Sequence, residues 1–228
     1  KDLLYSRPLA PSLGYNSVDE NVGELKNTGV EIDLKGTLIH TRDFMWRLGL
    51  NLTHYKNVVT DLPLKDMPVN GVHKLAVGRS VYDFYMKKWA GVDPENGDPL
   101  WYKNVKDANN KITGRTTTND YAQADYYYTG KSSLPKVYGG FNTAFSYKGF
   151  ELSTIFAYSI GNYIVDRDVT MLWHNGSSTG RAWSTEILNR WTPENRYTDV
   201  PALKTVSNSW NANSTRNLFN NSFLRMKN

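Results

Sequence analysis

The chain has 228 residues, of which 13% are aromatic, and its formal net charge is +5. It contains no cysteine, which excludes disulfides and cysteine-ligated zinc or iron–sulfur sites. No run of five or six lysines and arginines occurs, which argues against a nucleic-acid partner. No apolar run reaches the roughly 18 residues of a transmembrane helix, and the opening KDLLYSRPLAPSLGY lacks a signal-peptide pattern.

Apolar and polar residues alternate in five segments, as in β-strands that have one apolar and one polar face. In the second segment, for example, Leu48 and Leu50 share one face, and Arg47 and Asn51 share the other. The predicted strands are GVEIDLKGTLIH (29–40), FMWRLGLNLTHY (44–55), VYGGFNTAFSY (137–147), FELSTIFAYSIG (150–161) and FLRMKN (223–228).

The connections between these strands are of two kinds. Tight turns join the first strand to the second, at 40–43, and the third to the fourth, at 147–149. The other two connections run for about 60–80 residues, far longer than ordinary loops. Short turns on one side and long loops on the other are typical of an outer-membrane β-barrel, as are aromatic residues near the strand ends. A soluble β-sandwich would explain the alternation equally well, but it explains the loop asymmetry poorly.

The first long loop contains 89-WAGVDPENGDPLWY-102, whose acidic residues raise the question of a calcium site. Counted from Asp93, the EF-hand pattern fails, because Gly97 falls one position early and no glutamate follows at the end of the loop. Asn96-Gly97 instead favours a turn with positive φ. We therefore predict a small hairpin braced by Trp89 and Trp101.

The second long loop carries a helical spacing. Trp183, Ile187 and Trp191 recur every four residues in AWSTEILNRW (182–191), and Pro193 ends the pattern. We predict a short helix there, with these side chains packing the loop against itself.

Six segments, in order along the chain, resemble the C-terminal part of the barrel in the SusC/RagA family of TonB-dependent outer-membrane transporters. They are NVGELKNTGVEIDL (21–34), FMWRLGLNLTHYKNVVTDL (44–62), GRSVYDFYMKKWAGVDPENGDPLWY (78–102), LPKVYGGFNTAFSYKGFELS (134–153), RWTPENRYTDVPAL (190–203) and RNLFNNSFLRMKN (216–228). No single motif among them is specific, but their order spans nearly the whole sequence.

The resemblance implies an all-β fold, an antiparallel transmembrane barrel segment with short periplasmic turns and long extracellular loops. That family's barrels have about 22 strands, and its members also carry a plug domain, which this sequence lacks. We therefore expect residues 1–228 to form the C-terminal portion of a larger barrel, because an open sheet in lipid would leave main-chain groups unpaired.

The resemblance also implies a function in the outer membrane of a Gram-negative cell. The parent protein would import an oligosaccharide or a peptide, with a SusD-like surface lipoprotein as its lid. The TonB complex would supply energy through the plug region. The partners would thus be the lid, the TonB complex, the ligand and membrane lipid, and not nucleic acid. Import breaks no bond in the ligand, so we expect no enzymatic activity, catalytic residue, metal or cofactor.

Positions in this arrangement predict two sets of site residues. Aromatic rings in the extracellular loops are the candidates for ligand contact, since flat rings pack against sugar faces and are enriched at protein interfaces: Trp89, Trp101, Tyr102, Tyr126, Tyr127 and Trp173. Polar residues on the strands are expected to face the lumen: Glu31, Asp33, Lys35, Arg47, Asn51 and Glu151.

Two other functions remain open on the residues alone. A secreted carbohydrate-binding β-sandwich would use the same loop aromatics. A β-rich hydrolase would need a pair of carboxylates that the sequence does not reveal.

Overall fold

The computed structural model describes residues 2–63, 67, 69–176, 180–204 and 212–228. These residues form two compact units. The sheet unit comprises Lys1–Asp83, Lys131–Tyr163 and Asn220–Asn228, and the loop unit comprises Phe84–Gly130 and Ile164–Phe219. Within the described ranges, no helix has the length and apolar character that crossing a membrane requires.

Strands dominate both units. In chain order they are β1 (Asp2–Pro8), β2 (Ser17–His40), β3 (Phe44–Asp61), β4 (Asp83–Lys87), β5 (Trp89–Val92), β6 (Pro99–Lys106), β7 (Ile112–Thr118), β8 (Tyr126–Ser132), β9 (Val137–Tyr147), β10 (Phe150–Ile160), β11 (Tyr163–Val165), β12 (Leu218–Asn220) and β13 (Phe223–Met226). The described residues also form one α-helix, α1 (Arg167–Leu172), and 3₁₀ turns at Pro11–Leu13, Tyr121–Gln123, Thr185–Asn189 and Thr215–Asn217.

The sheet unit is built on an antiparallel sheet in the order β1-β2-β3-β9-β10-β13. All five predicted strands are present in it, as β2, β3, β9, β10 and β13, and β1 is an additional strand that the alternation did not predict. β3 is also longer than predicted. Its extension is held because Val59, which is fully buried, exchanges main-chain hydrogen bonds with Gly78 and Arg79.

The register of this sheet assembles one continuous apolar face. Paired residues on neighbouring strands point to the same side, so each row of pairs belongs to a single face. The central row across five strands consists of Leu34, Leu50, Phe141, Phe156 and Met226. Leu34 is 59% exposed and Met226 is 66% exposed. This face therefore presents large apolar side chains that the chain itself does not cover.

The opposite face is polar and made largely of small residues. One of its rows consists of Asp33, Asn51, Gly140, Ala157 and Arg225. All six strand residues predicted to share a face do lie on this side: Glu31, Asp33, Lys35, Arg47, Asn51 and Glu151. That this face lines a lumen remains a prediction.

Specific contacts fix the register on the apolar face. The Tyr158 hydroxyl reaches across two strands and donates a hydrogen bond of 3.0 Å to the Asn51 carbonyl. It can do so because Gly139 lies between them, where a Cβ atom would come within 2.1 Å of the same carbonyl oxygen. Near the tight turns, the Trp46 indole donates to the Thr143 hydroxyl at 2.8 Å. Both polar groups are thus paired on a face that otherwise carries apolar side chains.

The tight turn between β9 and β10 consists of Lys148 and Gly149, which both have positive φ angles of 46° and 89°. Positive φ at both central residues is the geometry of a type I′ turn, whose twist matches that of the flanking strands. This two-residue turn sets the pairing of Tyr147 with Phe150 and the whole register that follows.

In the loop unit, β5, β6 and β7 form a three-stranded sheet, and β4 pairs with β8. Its core contains Phe84, Met86 and Trp101, which are at most 3% exposed. The predicted helix over 182–191 was wrong in type and length, because Thr185–Asn189 is a 3₁₀ turn capped by Ser184. Arg190 no longer has helical backbone, since its ψ angle is 155°, and the N–H of the next residue pairs with the Val200 carbonyl instead.

Helix α1 was not predicted from the sequence. The side chain of Asp166 caps its first turn by accepting hydrogen bonds from the N–H groups of Asp168 and Val169. An aspartate before a short helix-compatible run is an N-cap signal that the sequence does contain.

Candidate ligand surface of the loop unit

The predicted hairpin at 89–102 is confirmed. β5 and β6 pair, with Trp89 opposite Trp101, and the two rings meet edge to face at 5.8 Å. Gly97 closes the turn with a φ angle of 74°. The Asp93 carboxylate accepts hydrogen bonds from the Glu95 N–H and the Asn96 amide, at 2.9 and 3.1 Å. This carboxylate therefore holds the turn together.

The second carboxylate of the hairpin is also engaged. Asp98 accepts a hydrogen bond of 2.5 Å from the Lys204 ammonium group and one of 3.0 Å from the Asn119 amide. Burial alone would raise the pKa of Asp98, but these two hydrogen bonds outweigh it and hold the pKa below its ordinary value. Within the described ranges, no group of three His, Asp or Glu side chains is placed to hold a metal ion.

A strap, defined as residues 191–204, fastens this hairpin. The Trp191 indole donates to the Pro94 carbonyl at 3.1 Å, and the Ala202 N–H donates to the Gly97 carbonyl at 2.8 Å. Gly97 fits closely here, since a Cβ atom would lie 2.5 Å from the Cβ of Ala202. The strap and the hairpin therefore form one tightly packed element.

Beside the strap lies an open groove of about 420 Å³. Residues of the hairpin and of the strap line it: Gly91, Val92, Pro94, Arg196, Tyr197, Thr198 and Asp199. The Tyr197 ring is 93% exposed, and nothing in the sequence pattern distinguishes it from the other tyrosines of the loops. Sequence reasoning missed this residue because exposure is set by how the strap folds.

Of the six predicted aromatics, Trp101 is fully buried. It packs against Trp89 and Tyr121, the latter at 5.2 Å, so its position is that of a core residue rather than of a ring open to ligand. Tyr126 is 37% exposed and stacks on Tyr85 at 5.5 Å. The remaining four predicted rings are half-buried.

Cations pair with these half-buried rings. The Lys88 ammonium group lies 5.3 Å from the Tyr102 ring, and the Arg115 guanidinium lies 4.8 Å from the Tyr127 ring. The Tyr127 hydroxyl donates to the Asn104 side chain at 2.9 Å. Burial raises the pKa of Tyr127, so its hydroxyl remains a donor at neutral pH.

The structure brings Trp89 and Trp173 together around one guanidinium. Arg216 lies 5.3 Å from the first ring and 4.3 Å from the second. Burial lowers the pKa of Arg216 to about 10, against the opposing effect of Glu186 and Asp199. The group is charged at neutral pH, so the two indoles are held by cation–π contacts.

A second buried cation supports the tyrosines. The Lys87 ammonium group donates to the carbonyls of Tyr121 and Ala122 and lies 4.1 Å from the Tyr121 ring. Burial lowers the pKa of Lys87, while Asp120 and Asp125 oppose that shift. Because Lys87 is only 6% exposed, it stabilises the unit internally rather than contacting ligand.

The fold and this surface define a class of protein. An antiparallel sheet with one uncovered apolar face, joined by tight turns and by long loops that build a second unit, is the architecture of an outer-membrane-type β-barrel segment.

Several known proteins are similar to this chain. No family model matches the chain. The TonB-dependent receptor P3 of Formosa agariphila is 27% identical over 249 residues, which cover 100% of this chain and 23% of that protein. The TonB-dependent receptor SusC of Bacteroides thetaiotaomicron is 27% identical over 178 residues, 72% of this chain and 17% of that protein. A solved structure of the RagAB peptide transporter matches with 32% identity and a TM-score of 0.79, over 98% of this chain and 24% of that one.

The predicted resemblance to the SusC/RagA family of TonB-dependent transporters is therefore confirmed, and so is the antiparallel barrel fold class. The chain spans roughly a quarter or less of the length of these relatives.

Proposed function

We propose that this chain is a barrel segment, with its extracellular loops, of an outer-membrane TonB-dependent importer. The observation that carries the proposal is the apolar face that runs across β2, β3, β9, β10 and β13 while the opposite face is polar. An apolar face that spans five strands would be an interaction or aggregation surface if it were exposed to water. Lipid covers it in a barrel, and the polar face then lines the lumen.

The cargo would be an oligosaccharide or a peptide, taken up with a SusD-like lipoprotein as lid. RagAB is described as a peptide transporter, and the exposed rings of Tyr126 and Tyr197 offer flat surfaces that suit either ligand. No bond of the cargo is broken, so no residue of this chain has a catalytic role in the proposal. Energy from TonB would act through regions that these residues do not include.

A growth experiment tests the proposal. The gene for the full-length protein is deleted from its Gram-negative host, and growth is measured on single oligosaccharides and on peptides as carbon sources. We expect a defect on one cargo class that the wild-type gene restores only when TonB is functional. Restoration without TonB, or normal growth of the deletion strain on every cargo, would contradict the proposal.

The loop surface has its own test on the cargo so identified. Tyr126→Ala and Tyr197→Ala should each slow growth at limiting cargo. Tyr126→Phe and Tyr197→Phe, which keep the flat ring and remove only the hydroxyl group, are the matched controls and should grow normally. Equal growth of the alanine and phenylalanine variants would remove the two rings from the ligand surface.

A further inference from the structure

The loop unit contains a strand, β7, whose outer edge is not paired with any strand of the described residues. β7 pairs with β6 on one side, and it is the last strand in the order β5-β6-β7. Residues 112–117 of this strand are all exposed. Natural proteins usually protect such an edge, because its unpaired main-chain groups can template another strand.

The register shows which main-chain groups of β7 are open. On β6, the Tyr102 N–H donates to the Lys88 carbonyl and the Asn104 N–H donates to the Asp125 carboxylate, so both residues direct their main-chain groups away from β7. Their partners in the antiparallel ladder are Thr117 and Arg115. In such non-hydrogen-bonded pairs, the N–H and C=O groups of each residue point away from the partner strand. Thr117 and Arg115 therefore present their N–H and C=O groups at the outer edge of β7.

Neither a proline nor a bulge protects the centre of this edge, where Arg115 is the charged residue. Its middle sequence, TGRTTT (113–118), contains no proline, and a Cβ atom added at Gly114 would meet nothing within 4 Å. The register shift of the β6–β7 ladder lies at Val105/Lys106, near the tip. Residues 116–118 are all threonine, which favours extended backbone.

The hairpin that carries this edge is basic. Between Pro99 and Thr118 there are four cations and one carboxylate, that of Asp107. The carboxylate is occupied, because it accepts hydrogen bonds of 2.9 Å from the N–H groups of Asn109 and Lys111. The side chains of Lys106 and Lys111 are exposed near the tip. A partner strand lying along β7 would therefore meet positive charge.

We propose that the open edge of β7 accepts an extended acidic segment of the SusD-like lid lipoprotein as an added strand. Main-chain hydrogen bonds from Arg115 and Thr117 supply the pairing, and the lysines at the tip select acidic sequence. This inference rests on the proposed function, and it names the place where the lid is held.

The test is the amount of lid lipoprotein that co-purifies with the full-length, affinity-tagged transporter from detergent-solubilised outer membranes of its host. Thr117→Pro removes one outward N–H group and leaves the hydrogen bonds between β6 and β7 in place. Its matched control, Thr117→Val, changes the side chain but keeps the N–H group. We expect retention of the lid to fall about fivefold with proline, the effect of one hydrogen bond, and to stay unchanged with valine.

A charge reversal provides a second measurement that does not perturb the backbone. Lys106→Glu combined with Lys111→Glu should lower retention, and should also flatten the loss of lid that wild type shows as salt is raised. Arg181→Glu reverses an exposed cation of the loop unit outside this hairpin and should leave retention unchanged.

The outcomes separate the two proposals. If no lid protein co-purifies with the wild type, the proposed function fails, and this inference fails with it. If the wild type retains the lid but the proline and valine variants behave alike, the open edge is not the docking site. If Thr117→Pro prevents assembly of the transporter, the double lysine variant provides the test. The proposal is then overturned if that variant retains as much lid as Arg181→Glu does.

Discussion

Placing one arginine on the apolar face of the sheet should destabilise the folded protein, and Leu50→Arg is the change that tests this most directly. Leu50 lies six residues beyond Phe44, where β3 leaves the tight turn. At about 3.3 Å per residue and a tilt of about 45°, this places Leu50 about 14 Å from the turn. That depth is close to the middle of an apolar band about 25 Å tall, where a lipid-facing arginine costs about 2–4 kcal/mol.

Ile155→Arg is the matched control, since it makes the same kind of change at nearly the same depth on the other face. Ile155 lies next to Phe156 of the Leu50 row, but it pairs with Asn142 in a row that includes Gly49 and Lys35. Its side chain is 48% exposed. If this face meets water in the lumen, the arginine stays solvated and costs almost nothing.

The assay compares the folded fraction of the full-length protein in the outer membrane, detected as the band that resists unfolding in detergent until it is heated. A cost of about 2–4 kcal/mol reduces the folded-to-unfolded ratio by a factor of at least about 30. We therefore expect the heat-resistant band of Leu50→Arg to be lost at a clearly lower temperature than that of wild type, and the band of Ile155→Arg to be lost at nearly the wild-type temperature. Similar shifts in both variants, or a larger shift for Ile155→Arg, would refute the assignment of lipid and lumen to the two faces.

Three further predictions concern stability. Gly97→Ala should destabilise the hairpin by about 2–4 kcal/mol, because Gly97 has a positive φ angle and the strap lies against it. Gly114→Ala should be neutral, and the two variants are compared by the protease resistance of the loops on intact cells. Tyr158→Phe should cost about 1 kcal/mol, seen as a lower temperature for loss of the heat-resistant band, and an unchanged temperature would show that its hydrogen bond contributes nothing. Because the pKa of Asp98 is lowered on folding, its stabilising pair with Lys204 is present above the unfolded-state pKa and lost as pH falls; Asp98→Asn should abolish this acid-induced loss of protease resistance.

The sheet could be predicted because its information is local. Alternation along each strand fixes which residues share a face, and short turns such as Lys148-Gly149 fix how neighbouring strands pair. β1, the first half of β2 and the last third of β3 escaped prediction, because they have no clean alternation. The end of β3 is stabilised instead by distant residues, as in the hydrogen bonds of Asn57 with Asn27 and Ser80.

The loop unit was predictable only in part. The hairpin at 89–102 could be predicted from its turn residues. The strap that contacts it lies about 100 residues away in sequence, and no local pattern predicts this contact. Composition alone therefore could not separate the buried ring of Trp101 from the exposed ring of Tyr197. The spacing at 182–191 was compatible with an α-helix, but the pairing of Trp191 with Val200 overrode it.

The contacts of the loop unit also bear on how it would bind. The carboxylates of Asp93 and Asp98 form hydrogen bonds within the hairpin and to the strap, and the Arg216 guanidinium contacts two indole rings. Each of these interactions orders the loops before any ligand or lid arrives. Binding then avoids much of the entropic cost of ordering, which is about 0.5–1.5 kcal/mol for each immobilised side chain. Long loops built in this way can act as a preformed surface, and the open edge of β7 is the part of that surface whose hydrogen bonds remain to be made.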